Sequence, residues 1–284
     1  MTSILSWNIQ NGIGCDGEIS LSRIADVIGK MGEPDVICLQ EVSRDLALLD
    51  NLEGPDQAVE LAELFPDYEV VFGAAIEACD TATGHRWQFG NALLSRAPIL
   101  SVARHLLPRP AVPDTRYMTR QATEAVVKTP DGELRVINTH LEFHSQVQKF
   151  AQIERLREIQ TEITAEQSEP RQVDFTGPYQ EVSRPLETIL CGDFNFLSGS
   201  VEYQKMLAPL GTTGHRFQDA WAVAYPDQPH ESTCGIYDRE LWPEGPHCRD
   251  FFFTVGIDHR RIHGVVVNTE TDASDHQPLI LTLG

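Results

Sequence analysis

Thr188-Ile189-Leu190-Cys191-Gly192-Asp193-Phe194-Asn195 is the stretch whose reading decides the fold. From Thr188 to Cys191 it is rich in apolar side chains with no alternation, the pattern of a strand buried on both faces. The run then closes on a carboxylate and, two positions later, an amide. A buried strand has no structural use for a bare carboxylate at its end, because the ion loses its hydration there. The same construction recurs along the chain. Ile4-Leu5-Ser6-Trp7 closes on Asn8, Val36-Ile37-Cys38-Leu39 on Gln40-Glu41, and Leu134-Arg135-Val136-Ile137 on Asn138-Thr139-His140. Ser274-Asp275-His276 stands just before the apolar run Pro278 to Leu283. Five strands thus deliver Asn, Glu, His, Asp/Asn and Asp/His to one rim. That is a site for a hard divalent cation with histidines beside it.

Composition bounds the partners. The chain has 284 residues with no repeat, low-complexity tract or linker, so one domain over 1–284 is expected. No stretch approaches the roughly 18 apolar residues that cross a bilayer, so no membrane anchor is expected. The sequence enters its first strand directly, with no basic region or small-residue cleavage site, so no signal peptide is expected. Its six cysteines show no paired metal or redox spacing. Cys38 and Cys191 fall inside core strands, where a free thiol acts as a small hydrophobe. A reduced, cytoplasmic chain is the simplest reading.

The formal charge of −20 repels a nucleic-acid backbone. Charge is uneven, however. Between Thr81 and Thr123 there are six arginines (86, 96, 104, 109, 116 and 120) against one acidic residue, Asp114. Such a segment is suited to a phosphorylated substrate, or else its arginines pair with surface carboxylates.

Periodicity supplies a coarse map. Leu21, Ile24, Ala25, Ile28 and Met31 recur at helical spacing after Ser20, a capping residue, and Val59, Ala62 and Phe65 suggest a second helix. Val147 to Ile163 gives the longest helical pattern. Strands are expected at 68–72, 92–94, 123–128, 134–138, 251–255, 262–267 and 279–283, with Thr129-Pro130-Asp131-Gly132 as a hairpin turn. Residues 103–122 and 168–186, broken by prolines, read as long loops. Helices alternating with hairpin-linked strands suit two packed sheets flanked by helices. Gly12 to Gly17 is formally G-x-G-x-x-G, but Asp16 and Glu18 would face a pyrophosphate there, and Glu41 lies 29 positions beyond Gly12 where about 20 is usual. A strand-to-helix loop is the better reading.

The five rim motifs together resemble the endonuclease/exonuclease/phosphatase superfamily, whose fold is that of pancreatic deoxyribonuclease. Ser6-Trp7-Asn8, Leu39-Gln40-Glu41-Val42, Asn138-Thr139-His140-Leu141, Gly192-Asp193-Phe194-Asn195 and Ser274-Asp275-His276 carry the resemblance, in family order, from Ser3 to Leu281. Weaker matches are Gly90 to Arg96, Arg120-Gln121-Ala122, Gln152 and Asp219-Ala220-Trp221. The resemblance implies an α+β fold: a four-layer α/β/β/α sandwich of two mostly antiparallel sheets, face to face, with helices outside. The exonuclease III branch characteristically carries Tyr-x-Pro-Asn-Gly where this chain has Asn138 to Leu141. The departure points to the branch of sphingomyelinases, deadenylases and small-molecule phosphatases.

Each candidate residue has a chemical reason. Glu41 and Asp275 supply hard oxygen ligands to Mg2+ or Mn2+, with Asn8 as a neutral partner. Asp193 and Asn195, two apart, would point to one side of an extended strand. There a carboxylate activates water and an amide holds a phosphoryl oxygen. His140 and His276 donate to those oxygens or act as base. The resemblance pairs His276 with an orienting aspartate, either Asp250, which opens Phe251-Phe252-Phe253, or Asp258; Asp250 is the better placed. It also sets Arg120 near the substrate. His85, His144, His215, His230, His247 and His263 have no such setting. The expected activity is metal-dependent phosphoester hydrolysis of a small phosphorylated compound or short single strand, with either Asp193 or the Asp250–His276 pair as base. A nuclease is the alternative. A non-catalytic scaffold would be expected to have lost a ligand, and none is missing.

Overall fold

Apolar runs become paired strands and capped amphipathic runs become helices. The structure, a computed structural model, is described over residues 1–47, 54–168, 177–180, 182–211 and 214–284. The first half runs β1 (Thr2–Asn8), α1 (Leu21–Lys30), β2 (Val36–Arg44), α2 (Gln57–Leu64), β3 (Glu69–Cys79), β4 (Arg86–Ser95), β5 (Ile99–Leu106), β6 (Gln121–Thr129) and β7 (Gly132–His140). The second half runs α3 (Gln146–Ser168), β8 (Thr188–Asp193), α4 (Val201–Leu207), β9 (Gln218–Asp219), α5 (Ala220–Ala224), β10 (Asp250–Val255), β11 (Ile262–Val267) and β12 (Leu279–Leu283). Ser20 caps α1 by accepting from Arg23 N at 3.2 Å, and Asp56 caps α2.

One sheet has the order β11-β12-β1-β2-β4-β3 and the other β5-β6-β7-β8-β10-β9. Among the described strands, only β1 with β2 and β7 with β8 pair in parallel. Alternate residues of each central strand face opposite ways. Ile4, Val36, Cys38 and Leu93 meet Val136, Ile189, Cys191 and Phe252 between the sheets. Leu5, Trp7, Ile37 and Leu39 lie under α1 and α2. Ile137, Leu190, Phe251 and Phe253 lie under α3 and α4. Three apolar layers separate four structural ones, the expected α/β/β/α sandwich.

Towards one end the inter-sheet layer turns polar. Gln40 Nε2 donates to Asn138 Oδ1 at 2.8 Å, and Asn138 Nδ2 donates to the carbonyls of Leu39 (3.0 Å) and Ala92 (2.9 Å). These bonds cross from one sheet to the other and fix their relative register directly beneath the rim. Gly192 is dictated by the same packing: with φ of +139°, a Cβ there would stand 1.8 Å from the Thr139 carbonyl oxygen of β7.

The arrangement departs from the sequence reading in three places. Residues 99–106, in part assigned to a long loop, form β5, an edge strand of alternating exposure, leaving 107–120 as the connection. The short α4 and α5 were not foreseen. Asp193 and Asn195 do not share a strand: β8 ends at Asp193, Asn195 turns to φ +53°, and its N–H donates to Asp193 Oδ1 at 2.9 Å. Of the loop expected at 168–186, residues 169–176 and 181 lie outside the described residues.

Candidate active site

The rim is a seam between the two sheets. Asn8 ends β1, and Glu41 sits in β2 at an irregularity between Leu39 and Val42 where the pairing with β4 shifts. Its φ of +56° is a left-handed conformation that costs a non-glycine residue energy, and the bulge places its side chain in the cleft. His140 ends β7, Asp193 ends β8, and Asp250 opens β10 directly opposite Asp193 in the ladder. Two bonds pin Asp275 and His276 to β1, and a third braces the segment itself. Ser274 Oγ donates to Asn8 O at 2.7 Å and accepts from His276 N at 3.3 Å, while Trp7 Nε1 donates to His276 O at 2.8 Å.

These groups form a connected array at the floor of a cleft of about 510 Å3. His276 Nδ1 and Asp250 Oδ2 are 2.8 Å apart, and Thr233 Oγ1 donates to the same oxygen at 2.5 Å. His276 Nε2 faces Asp193 Oδ2 at 3.6 Å, and His140 Nε2 approaches that oxygen to 3.3 Å. Asn195 Nδ2 lies 3.0 Å from His140 Nε2 and 3.0 Å from Leu141 O. Asn8 Nδ2 bridges Glu41 Oε1 (3.3 Å) and Asp193 Oδ2 (3.1 Å). Asp258 is elsewhere, capping a short turn and pairing with the exposed Arg260.

Electrostatics separates the roles. A quarter of the Glu41 side chain is exposed, yet burial by the cleft walls and the charge of Asp275 push its carboxyl up to about 7. Burial opposes ionisation of Asp193, but His276, His140 and the hydrogen bonds from Asn195 and Asn8 outweigh it and hold its carboxyl below the usual range. Burial likewise raises Asp250, to about 6. His276 goes far up despite its burial, because Asp250, Asp193 and Asp275 surround it. His140 goes far down, through burial and then Arg120, so its imidazole is neutral.

Two groups of side chains offer a place for a cation. Asp193, Asp250 and His276 have ligand atoms within 4.8 Å of one another. His276 in that set is held protonated and hydrogen-bonded, which suits a proton relay better than a ligand. Glu41 and Asp275 are hard oxygen donors whose mutual repulsion a cation would relieve. Asn8 presents its nitrogen, not its oxygen, to Glu41; turning the amide over would make it the third ligand. Arg120 is buried, lines the cleft and lies 3.8 Å from Glu142.

The match to the model of the endonuclease/exonuclease/phosphatase family runs over residues 5–276. The chain belongs to that family. Several solved structures of the endonuclease/exonuclease/phosphatase type share its fold. One from Beutenbergia cavernae DSM 12333 is 22% identical with a TM-score of 0.68, covering 100% of this chain and 72% of its own. The mannosyl-6-phosphatase Bt3783 of Bacteroides thetaiotaomicron VPI-5482 is 18% identical with a TM-score of 0.66, covering 100% of both chains. Truncated Caenorhabditis elegans TDP2 is 17% identical with a TM-score of 0.64, covering 99% of this chain and 96% of its own. No curated protein matches the sequence. Members of the family are hydrolases of phosphate esters, and no helix among the described residues of this one is long and apolar enough to cross a membrane.

The cleft of this family member also holds residues the sequence did not single out. His144 was set aside with the unremarkable histidines but lines the cleft, beside Glu142 and Phe143. Gln10, Tyr117, Met118, Leu241 and Trp242 line it too, and Trp242 Nε1 donates to Asp275 Oδ2 at 3.1 Å. Thr233, which holds Asp250, comes from an irregular segment. The six clustered arginines divide: Arg86 and Arg96 pair with surface carboxylates, Arg104 bonds a backbone carbonyl and Arg109 a threonine hydroxyl, and only Arg116 and Arg120 reach the cleft.

Proposed function

We propose that this chain is a divalent-metal-dependent phosphoesterase acting on a small phosphorylated substrate. The observation that carries the reading is the relay Asp250–His276, at 2.8 Å, ending on Asp193 in a cleft whose other wall bears Glu41 and Asp275. Glu41, Asp275 and a turned Asn8 would hold Mg2+ or Mn2+. Bound there, the ion supplies Lewis-acid neutralisation of the phosphoryl and leaving oxygens.

The protein groups divide the remaining work. Asp193 is the ionised acceptor, so it orients water and takes its proton as the water oxygen bonds to phosphorus. The bond from phosphorus to the leaving oxygen breaks in line, and that oxygen takes a proton from solvent. His276, kept protonated by Asp250, donates to a non-bridging oxygen. The Asn195 amide adds a neutral donor beside it, and the charge of Arg120 stands nearby. A cleft of about 510 Å3 in a chain of charge −20 favours a small ester over duplex DNA.

The test is hydrolysis of bis-p-nitrophenyl phosphate and p-nitrophenyl phosphate with Mg2+, Mn2+ or EDTA. Metal-dependent turnover that Asp193→Asn abolishes is expected. Turnover of neither ester with either ion, or turnover indifferent to Asp193, would overturn the proposal.

A further inference from the structure

Three large apolar side chains exposed at the surface, Tyr117, Phe143 and Leu241, line the cleft above the array just described. The two rings are each backed by a cation. The Arg109 guanidinium lies over the Tyr117 ring at 5.6 Å and that of Arg249 over the Phe143 ring at 5.3 Å. Neither arginine is among the residues that line the cleft. Arg249 is itself fixed, by His247 Nε2 at 2.7 Å and by the Trp242 ring at 4.8 Å. Phe143 also meets Trp242 edge-on, at 5.8 Å. These are held surfaces.

An aromatic face carries partial negative charge, and a cation on its far side draws that charge away. The exposed face is then a poorer partner for a second cation or for the polarised C–H groups of a sugar. It is a better one for a flat, electron-rich ring. Arg116 stands at the same rim with no hydrogen bond or ion pair among the described residues, matching a substrate that is anionic overall.

Resting on the phosphoesterase reading, we infer that Tyr117 and Phe143 form a subsite for a planar aromatic ring carried on the leaving group of the phosphate ester. The preferred substrate is a ring-bearing ester and not a polyol or plain sugar phosphate.

Adenosine 5′-monophosphate and ribose 5-phosphate share a reacting centre and differ by the base, so they isolate the ring. Each is used to compete with bis-p-nitrophenyl phosphate turnover, and each is titrated by calorimetry with Ca2+ so that affinity is read even without turnover. The nucleotide is expected to bind at least about tenfold more tightly, in line with the usual worth of one stacked base. Phe143→Leu and Tyr117→Leu should each shrink that ratio while changing ribose 5-phosphate affinity little. Phenyl phosphate separates the sources: binding as tight as the nucleotide means that any aryl ring suffices, and weak binding means a fused base is needed. Equal affinity for nucleotide and ribose phosphate, or an undiminished ratio in both variants, overturns the subsite. Turnover of the generic ester shows separately whether the phosphoesterase reading stands.

Discussion

Replacing Asp250 by Asn keeps the shape of the relay and removes its charge. His276 Nδ1 loses an anionic partner at 2.8 Å, while the Thr233 hydroxyl still finds an oxygen on the new amide. A hydrogen bond to a charged group contributes about 1.5–3 kcal/mol, which converts to about 10–150-fold in rate if felt in the transition state. Misorientation of the imidazole adds to this; the equivalent change in a serine protease triad costs about 10^4 in kcat. A fall in kcat of about 10^2 to 10^4 is therefore expected. The pH profile carries a second signature. In the wild type, Asp250 and Asp193 hold His276 protonated well above its ordinary range, against its burial. Without Asp250 the proton leaves at lower pH, so the alkaline limb of kcat moves down. The sign for stability is the same: a raised histidine stabilises fully below its unfolded value and ceases to as pH rises through its folded one. Asp258→Asn is the control, since Asp258 is exposed and pairs only within its own turn, and a change within about twofold is expected. Steady-state kinetics from pH 5 to 10 with urea unfolding of each variant provides the assay. A folded Asp250→Asn protein within about threefold of wild type, or a larger loss from Asp258→Asn, would refute the relay.

Glu41→Gln should leave the fold intact and weaken Mn2+ binding, read by calorimetry; unchanged affinity would move the ion to the Asp193–Asp250–His276 group. Because Glu41 titrates near 7 without metal and must lose its proton to bind it, apparent Mn2+ affinity should fall by up to about tenfold per pH unit below that point. A flat profile between pH 5 and 7 contradicts the assignment. Asn138→Leu strands the Leu39 and Ala92 carbonyls between the sheets, and at about 1–3 kcal/mol each it should cost about 2–6 kcal/mol in urea unfolding. Arg120→Ala should raise KM for a small ester more than it lowers the urea midpoint. Duplex DNA should bind weakly and without a steep salt dependence; tight, salt-sensitive binding with plasmid nicking would favour a nuclease.

The parts of the fold legible in the sequence were those where burial leaves a compositional mark. β2 and β8 are covered on both faces, so their apolar runs and polar ends stand out together. β5 is an edge strand with alternating exposure, and Pro108, Pro110 and Pro113 just beyond it drew its second half, from residue 103, into a loop reading. α4 and α5, of 7 and 5 residues, are too short to display a period. At the site, polar residues flanking apolar runs were visible and most other loop contributions were not. Thr233, Phe143 and Trp242 acquire their roles only through contacts distant in sequence. Nothing in Gln40-Glu41-Val42 announces the left-handed turn that points Glu41 into the cleft. Nor does the spacing of Asp193 and Asn195 reveal that the chain leaves β8 between them.

The pairing of β1 with β12, Thr2 against Leu283, carries a consequence for synthesis. β1 is buried on nearly every residue, and its two neighbours are β2, made soon after it, and β12, made after every other described strand. A nascent chain therefore holds an apolar strand with one open edge until β12 is made, a template for unwanted pairing. Asp275 and His276 precede the segment that covers that edge, separated from it by Gln277 and Pro278. Closure of that edge and arrival of Asp275 and His276 beside Asn8 are then one event, so the cleft is expected to be completed only as the open edge is covered.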